Sequence, residues 1–215
     1  MRLVLASASP RRADLLRAAG FTFETLPVEV DEAVRQGEAA DVYVRRLAVE
    51  KAARAWEILA GDRGPAEAGH YLRNDAARDG VLGDSRGGGA GDIVVLGADT
   101  AVVVDGEIMG KPHDAADAER MIRCVSGRRH QVMTGLSLRN GSGERGGVET
   151  TTVECLTLTE ADVSWYVASG EGRDKAGAYA IQGLAARFVT GIEGSYANVV
   201  GLPVHVVFRL LRDFS

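Results

Sequence analysis

Residues 93–104 read Ile93-Val94-Val95-Leu96-Gly97-Ala98-Asp99-Thr100-Ala101-Val102-Val103-Val104. Two apolar runs rich in β-branched residues, Ile93–Leu96 and Ala101–Val104, flank Gly97-Ala98-Asp99-Thr100 and read as strands. Asp105-Gly106 then supplies a hairpin turn signal. A carboxylate between such runs is largely removed from water. Asp99 is therefore either satisfied by backbone N–H groups at a bulge or poised as a general base, because desolvation favours proton uptake by a carboxyl. Gly97, lacking a side chain, lets a backbone or a ligand come close.

Working outward, Leu3–Ala6 reads as a short buried strand, and Ser9-Pro10 starts a helix with Ser9 as N-cap and Pro10 at the first helical position. Leu15, Leu16 and Ala19 give that helix an apolar face before Gly20 ends it. A second helix is predicted from about Asp41 to Ala60, with Val44, Leu47, Ala48, Ala55, Ile58 and Leu59 at three- and four-residue spacings. Residues 61–92, rich in Gly, Asp and Arg, suit a mobile surface loop and suggest no chemistry. Further on, Asp114 caps a helix through Val125, Gln131–Leu138 and Val148–Leu158 form a hairpin around Asn140-Gly141, and Thr159 caps a helix through about Ala168. The stretch Val204–Leu211 closes the pattern as an apolar helix or strand. Helices and strands interleave, but several strand pairs look like hairpins, so the expected class is α/β with a mixed sheet.

The 215 residues are 46% hydrophobic, enough for one compact domain with its own core. A net charge of -5 and a pI near 5.5 give no general attraction to a nucleic acid polymer or an acidic membrane, so any phosphate ligand must be held by local chemistry. Cys124 and Cys155 lack C-x-x-C spacing and read as small buried hydrophobes in a reducing compartment, without a disulfide. His70, His113, His130 and His205 show no zinc pattern, and neither a phosphate-binding P-loop nor a serine nucleophile elbow is present. The amino-terminal apolar run is shorter than the roughly 7 to 15 residues of a signal peptide, and Asp99 interrupts the best candidate for a membrane span. A cytoplasmic location is the expectation.

Besides the Asp99 stretch, five segments carry candidate chemistry. In Leu5-Ala6-Ser7-Ala8-Ser9-Pro10-Arg11-Arg12 a strand delivers hydroxyls and two guanidinium forks to a helix amino terminus, an anion site unless Ser9 merely caps and the arginines are solvated. The adjacent acids of Val30-Asp31-Glu32 could place one carboxylate beside a phosphate-bound magnesium or manganese ion, or could simply be hydrated. Lys51 lies on the apolar stripe one turn beyond Leu47 and must either snorkel outward or meet an anion. Gly110-Lys111-Pro112 sets a lysine on a rigid turn near Asp99, although surface charge would look the same. In Ala176-Gly177-Ala178-Tyr179-Ala180-Ile181-Gln182-Gly183, the Gln182 amide can donate to a pyrimidine O4 and accept from N3–H, or can cap a turn.

Leu5-Ala6-Ser7-Ala8-Ser9-Pro10-Arg11-Arg12, Val30-Asp31-Glu32, Leu47-Ala48-Val49-Glu50-Lys51-Ala52, Gly97-Ala98-Asp99-Thr100, Gly110-Lys111-Pro112 and Asp174-Lys175-Ala176-Gly177-Ala178-Tyr179 together resemble the Maf family in order and spacing over nearly the whole chain apart from residues 61–92. The resemblance implies a mixed α/β fold related to inosine triphosphate pyrophosphatases, two lobes around a cleft and a homodimer. It also implies hydrolysis of a nucleoside triphosphate between the α and β phosphates with a divalent cation. Roles carried over with it are phosphate contacts for Ser9, Arg11, Arg12, Lys51 and Lys111, metal or water positioning for Glu32, and proton acceptance for Asp99. Arg11, Thr100 and Gln182 match the branch acting on dTTP and UTP rather than the 7-methyl-GTP branch.

Two rival readings stand beside the hydrolase. A nucleotide-responsive regulator of septum formation would need the anion site but no base, so Asp99 with Glu32 favours the enzyme. A nucleotidyltransferase would need a longer acceptor domain.

Overall fold

The computed structural model describes residues 1–61 and 93–212. The expected loop over residues 61–92 lies outside them except for Gly61, which closes a helix. Among the described residues, β1 (Arg2–Leu5), β2 (Phe23–Thr25), β3 (Ile93–Val104), β4 (Glu107–Met109), β5 (Arg129–Asn140), β6 (Gly143–Cys155) and β7 (Val189–Glu193) form one sheet in the order β2-β1-β3-β5-β6-β7, with β4 on β3. The first three strands of that order run parallel, and all remaining pairs are antiparallel. The helices are α1 (Pro10–Ala18), α2 (Ala40–Gly61), α3 (Ala115–Val125), α4 (Glu160–Ser169), α5 (Tyr196–Val200) and α6 (Val204–Arg212). This is the mixed α/β sheet expected, and the terminal apolar stretch resolves to a helix.

The two runs around Asp99 are one strand. Gly97, Ala98, Asp99 and Thr100 pair without a register shift opposite Ser137, Leu136, Gly135 and Thr134 of β5, so no bulge satisfies the Asp99 carboxylate. Along its other edge, β3 is shared: β1 pairs with Ile93–Leu96 and β4 with Val102–Val104, which leaves the stretch around Asp99 without a strand partner on that side. Ala6 N–H still reaches Leu96 O at 2.8 Å, and the Arg12 guanidinium takes Ala98 O at 2.9 Å. The gap between β1 and β4 is where the fold opens.

Two glycines set the height of α2 over the sheet. A Cβ on Gly97 would stand 2.1 Å from Ala48 O, and one on Gly135 would stand 2.1 Å from Val44 O. With no side chain at either place, α2 buries Val44, Leu47, Ala48, Ala52 and Ala55 directly against the strands. The close approach suggested by Gly97 is therefore made by helix backbone. The rest of the apolar core is divided. One cluster joins Leu5, Leu16, Leu96, Leu138 and Val207 of β1, α1, β3, β5 and α6, and another joins Val102, Ile122, Val132, Val153 and Tyr166 around α3 and α4.

Several boundaries depart from the sequence pattern for local reasons. The β5–β6 hairpin is longer than expected and turns through Gly141-Ser142, where Asn140 Oδ1 accepts from the N–H groups of Ser142 (2.9 Å) and Gly143 (3.1 Å). Its Gly146-Gly147 stretch has no strand propensity of its own and is held by cross-strand pairing with Ser137 and Leu136, while the strand ends at Cys155 rather than Leu158. Asp114 and Thr159 cap α3 and α4 as expected, Thr159 through a reciprocal capping box with Asp162. Ser9 occupies the N-cap position of α1 ahead of Pro10, yet its side chain makes no capping bond. Both cysteines are free thiols, Cys155 buried and Cys124 half-buried. Among the described residues, no helix is long and apolar enough to cross a membrane.

Candidate active site

At the open edge of β3 lies a cleft of about 1140 Å³, and Ser9, Arg11, Arg12, Glu32, Lys51, Asp99, Thr100, Lys111 and Gln182 all line it. These nine residues thus reach one concavity, although they come from strand, helix, loop and turn, whereas Asp31 of the acidic pair does not line it.

Lys51 is the centre of its polar wall. Because α2 sits directly on Gly97, the Lys51 stem is enclosed against the sheet and the residue is only 7% exposed. Its Nζ donates to Asp99 Oδ1 at 2.6 Å and to Glu32 Oε1 at 2.7 Å. The ammonium does not snorkel to the surface: two carboxylates converge on it at the cleft wall. Asp99 is itself 8% exposed, so this is a desolvated ion pair rather than a surface one.

The loop that carries Glu32 is pinned by α2. Tyr43 donates its hydroxyl to Glu32 O at 3.0 Å, and Arg46 reaches Ala33 O at 3.0 Å while pairing with Glu38. Asp31 spends its carboxylate on Ala33 N–H within the loop, which leaves Glu32 as the acid of the pair that faces the cleft. Partial burial pushes the Glu32 carboxyl up, but the Lys51 hydrogen bond and charge, with Lys111 and Arg12 behind them, outweigh it and hold Glu32 below the usual range. Burial, with the Asp99 and Glu32 charges added to it, pushes Tyr43 up to about 12. Lys111 is 3.8 Å from Glu32 Oε2 and mostly exposed, the freest of the cations.

The two arginines divide their work. Arg12 is buried and donates to Gly201 O (2.8 Å), Ser7 Oγ (3.1 Å), Ala98 O (2.9 Å) and Thr100 Oγ1 (3.0 Å). Most of its fork therefore binds the protein, filling the ladder vacancy beside Asp99 and tying α1 to β3. Burial lowers its proton affinity, and the Asp99 charge opposes that. Arg11 is half-buried and lines the cleft, and its Nε is shut away from solvent without a hydrogen-bond partner. Thr100 points away from Asp99 on the alternate face of β3, where its hydroxyl meets Arg12 and Thr134. Gln182 is exposed at the cleft.

The cleft lining carries six cationic groups (Arg11, Arg12, Lys51, Lys111, Arg120, Lys175) and five carboxylates (Glu29, Glu32, Asp99, Asp117, Asp174), so any anion is held by local placement of the cations rather than by a large excess of positive charge. Among the described residues, no group of three His, Cys, Asp or Glu side chains gathers to cage a metal. Magnesium, however, is ordinarily held by one or two carboxylates together with substrate phosphates and water. Glu32, with a side chain 46% exposed, and Asp99 converge closely enough to share one ammonium, so the donor set fits a cation that arrives with a phosphate ligand.

Tyr43 and Arg46 were not singled out from the sequence. Tyr43, Leu47 and Lys51 lie four residues apart on one stripe of α2, so a hydroxyl two turns before the buried lysine was the available signal.

A family model described as Maf-like protein matches residues 2–214. The dTTP/UTP pyrophosphatase of Anaeromyxobacter sp. (strain Fw109-5) is 45% identical over 216 residues, covering 98% of this chain and 88% of that protein. The dTTP/UTP pyrophosphatase of Chromobacterium violaceum is 42% identical over 214 residues, covering 100% and 95%. That of Vibrio vulnificus strain YJ016 is 40% identical over 213 residues, covering 99% and 98%.

Proposed function

Since the chain belongs to the Maf-like protein family, we propose that it is a nucleoside triphosphate pyrophosphatase that hydrolyses dTTP and UTP to the monophosphate and pyrophosphate. The observation that carries this reading is the Lys51 ammonium held between Asp99 and Glu32 in the wall of a cleft that Arg11, Arg12 and Lys111 also line. The names of relatives 40–45% identical over nearly the full length support the substrate class.

In this reading the triphosphate lies across the amino terminus of α1, with Ser9, Arg11 and Lys111 contacting phosphate oxygens. Lys51 engages Asp99 Oδ1, so the proton of a water aligned on the α-phosphorus passes to the other carboxylate oxygen. Arg12 keeps the Asp99 strand and the α1 turn in register, and Lys51 carries charge to the α/β bridge as pyrophosphate departs. Positioning and electrostatics supply most of the acceleration. A divalent cation, magnesium or manganese, would neutralise further charge on the phosphates, and Glu32 would hold it. Arg11, Thr100 and Gln182 select the pyrimidine. The same reading carries a homodimer, which light scattering on the purified protein tests.

A panel of nucleoside triphosphates with product separation tests the function. Release of pyrophosphate with dTMP or UMP is expected. Release of orthophosphate would overturn the reaction class, and equal turnover of purines would overturn the base preference.

A further inference from the structure

Gln182 is presented by a tight turn, Ala180-Ile181-Gln182-Gly183, closed by Gly183 N–H on Ala180 O at 3.0 Å. Both flanks of that turn are fastened to the end of α4. Two residues before Gln182, Ala180 N–H donates to the Tyr166 hydroxyl at 3.2 Å. Two residues after it, Leu184 N–H donates to Glu171 Oε1 at 2.8 Å, with Ala185 N–H on Oε2 at 3.4 Å. The two anchors are themselves joined, because Tyr166 donates its hydroxyl to Glu171 Oε2 at 2.9 Å. Tyr166 is 1% exposed and packs edge-on against Phe188, so its hydroxyl has little freedom.

Glu171 reaches the turn only because residue 183 is glycine: a Cβ there would stand 1.9 Å from Glu171 Oε1. The strand of the sheet contributes as well. His130 on β5 bonds Tyr179, the residue before the turn, through Nε2 and the phenol oxygen at 2.8 Å. The backbone on both sides of an otherwise exposed turn is thus held by a buried tyrosine and a charged carboxylate, which fixes the position from which the Gln182 side chain extends.

We propose that Tyr166 and Glu171 form a clamp whose role is to fix the Gln182 turn for base reading, which makes them positioning residues for substrate choice rather than for phosphate chemistry. The inference rests on the reading of Gln182 as the pyrimidine contact. Neither residue lines the cleft with the phosphate-facing groups, so releasing the clamp alters binding of the base and leaves the reacting centre alone. Glu171→Gln keeps the size of the side chain but leaves one acceptor oxygen where the structure uses two. Tyr166→Phe removes only the hydroxyl that links Glu171 to Ala180.

The test compares dTTP with dCTP, which share ring size and differ at the edge an amide reads. In Glu171→Gln and in Tyr166→Phe, the dTTP to dCTP ratio of kcat/KM is expected to fall about tenfold, through KM for dTTP, with kcat within about twofold. Gln182→Ala is measured alongside and should lower the same ratio, and either clamp substitution added to it should lower the ratio no further. A clamp variant that leaves the ratio unchanged while Gln182→Ala lowers it overturns the inference and spares the base contact. A loss equal for both nucleotides, or a fall in kcat alone, also overturns it, since general loosening would act that way. If Gln182→Ala itself leaves the ratio unchanged, the base contact fails and the clamp role fails with it.

Discussion

Replacing Lys51 by Met should cost stability out of proportion to the volume changed. The ammonium and the Asp99 carboxylate are 9% and 12% exposed at the side chain and lie 2.6 Å apart, whereas Glu32 is 46% exposed and can rehydrate once released. Methionine fills the stem of the lysine but leaves Asp99 desolvated and without its cation, a situation worth ~3–5 kcal/mol when one partner of a buried pair is removed. Asp99→Asn leaves Lys51 its bond to Glu32, so its cost should be smaller, ~1–3 kcal/mol, the range for a lost charged hydrogen bond. The double variant removes both buried charges and should be more stable than the sum of the singles implies, giving a coupling of ~2 kcal/mol or more. Urea denaturation at pH 7 with linear extrapolation measures all four corners of the cycle. A Lys51→Met cost under ~1 kcal/mol with additive singles, the behaviour of exposed pairs, would refute the desolvated arrangement.

Gly97→Ala should be among the most damaging single-carbon changes, because its Cβ would sit 2.1 Å from Ala48 O and must lift α2; a loss of ~3 kcal/mol or more is expected from overpacking. Pyrophosphatase activity should fall with it as Lys51 is drawn off Asp99, and a variant with unchanged urea midpoint and activity would contradict the packing. For pH, burial pushes His130 down to about 4 from 6.5, opposed by a backbone group of Arg128. The unfolded imidazole therefore binds its proton first, so this stabilising contribution is complete above 6.5, declines as pH falls and is gone by about 4, a window worth ~3 kcal/mol. His130→Gln should flatten the stability profile across that window, and an unchanged slope would assign it to other groups.

Much of the site was legible because its residues break their local pattern. Asp99 stands out in an aliphatic stretch and Lys51 on an apolar stripe, and the two anomalies turn out to be each other's partner. The sequence could not announce that pairing, since it depends on Gly97 and Gly135 setting the height of α2 above the sheet. Nor could it separate the neighbouring arginines: both read as guanidinium forks for phosphate, yet Arg12 is largely consumed by Gly201, Ser7, Ala98 and Thr100, three of which are distant in sequence beyond any pattern. Ser9 misled in the opposite sense, taking the cap position without the cap bond. Strands β2, β4 and β7 are too short to show a period, and the Gly146-Gly147 part of β6 is strand only because β5 lies beside it.

The central claim is that Asp99 accepts the proton of the attacking water in a cleft otherwise built to bind the triphosphate. Pyrophosphate release and equilibrium binding of dTTP, measured on the Asp99→Asn protein with magnesium present, test it most directly. The account predicts release reduced by about a thousandfold or more, as for loss of a positioned general base, with dTTP still bound within a few-fold of the unaltered protein. Turnover within about tenfold of the unaltered protein would contradict it.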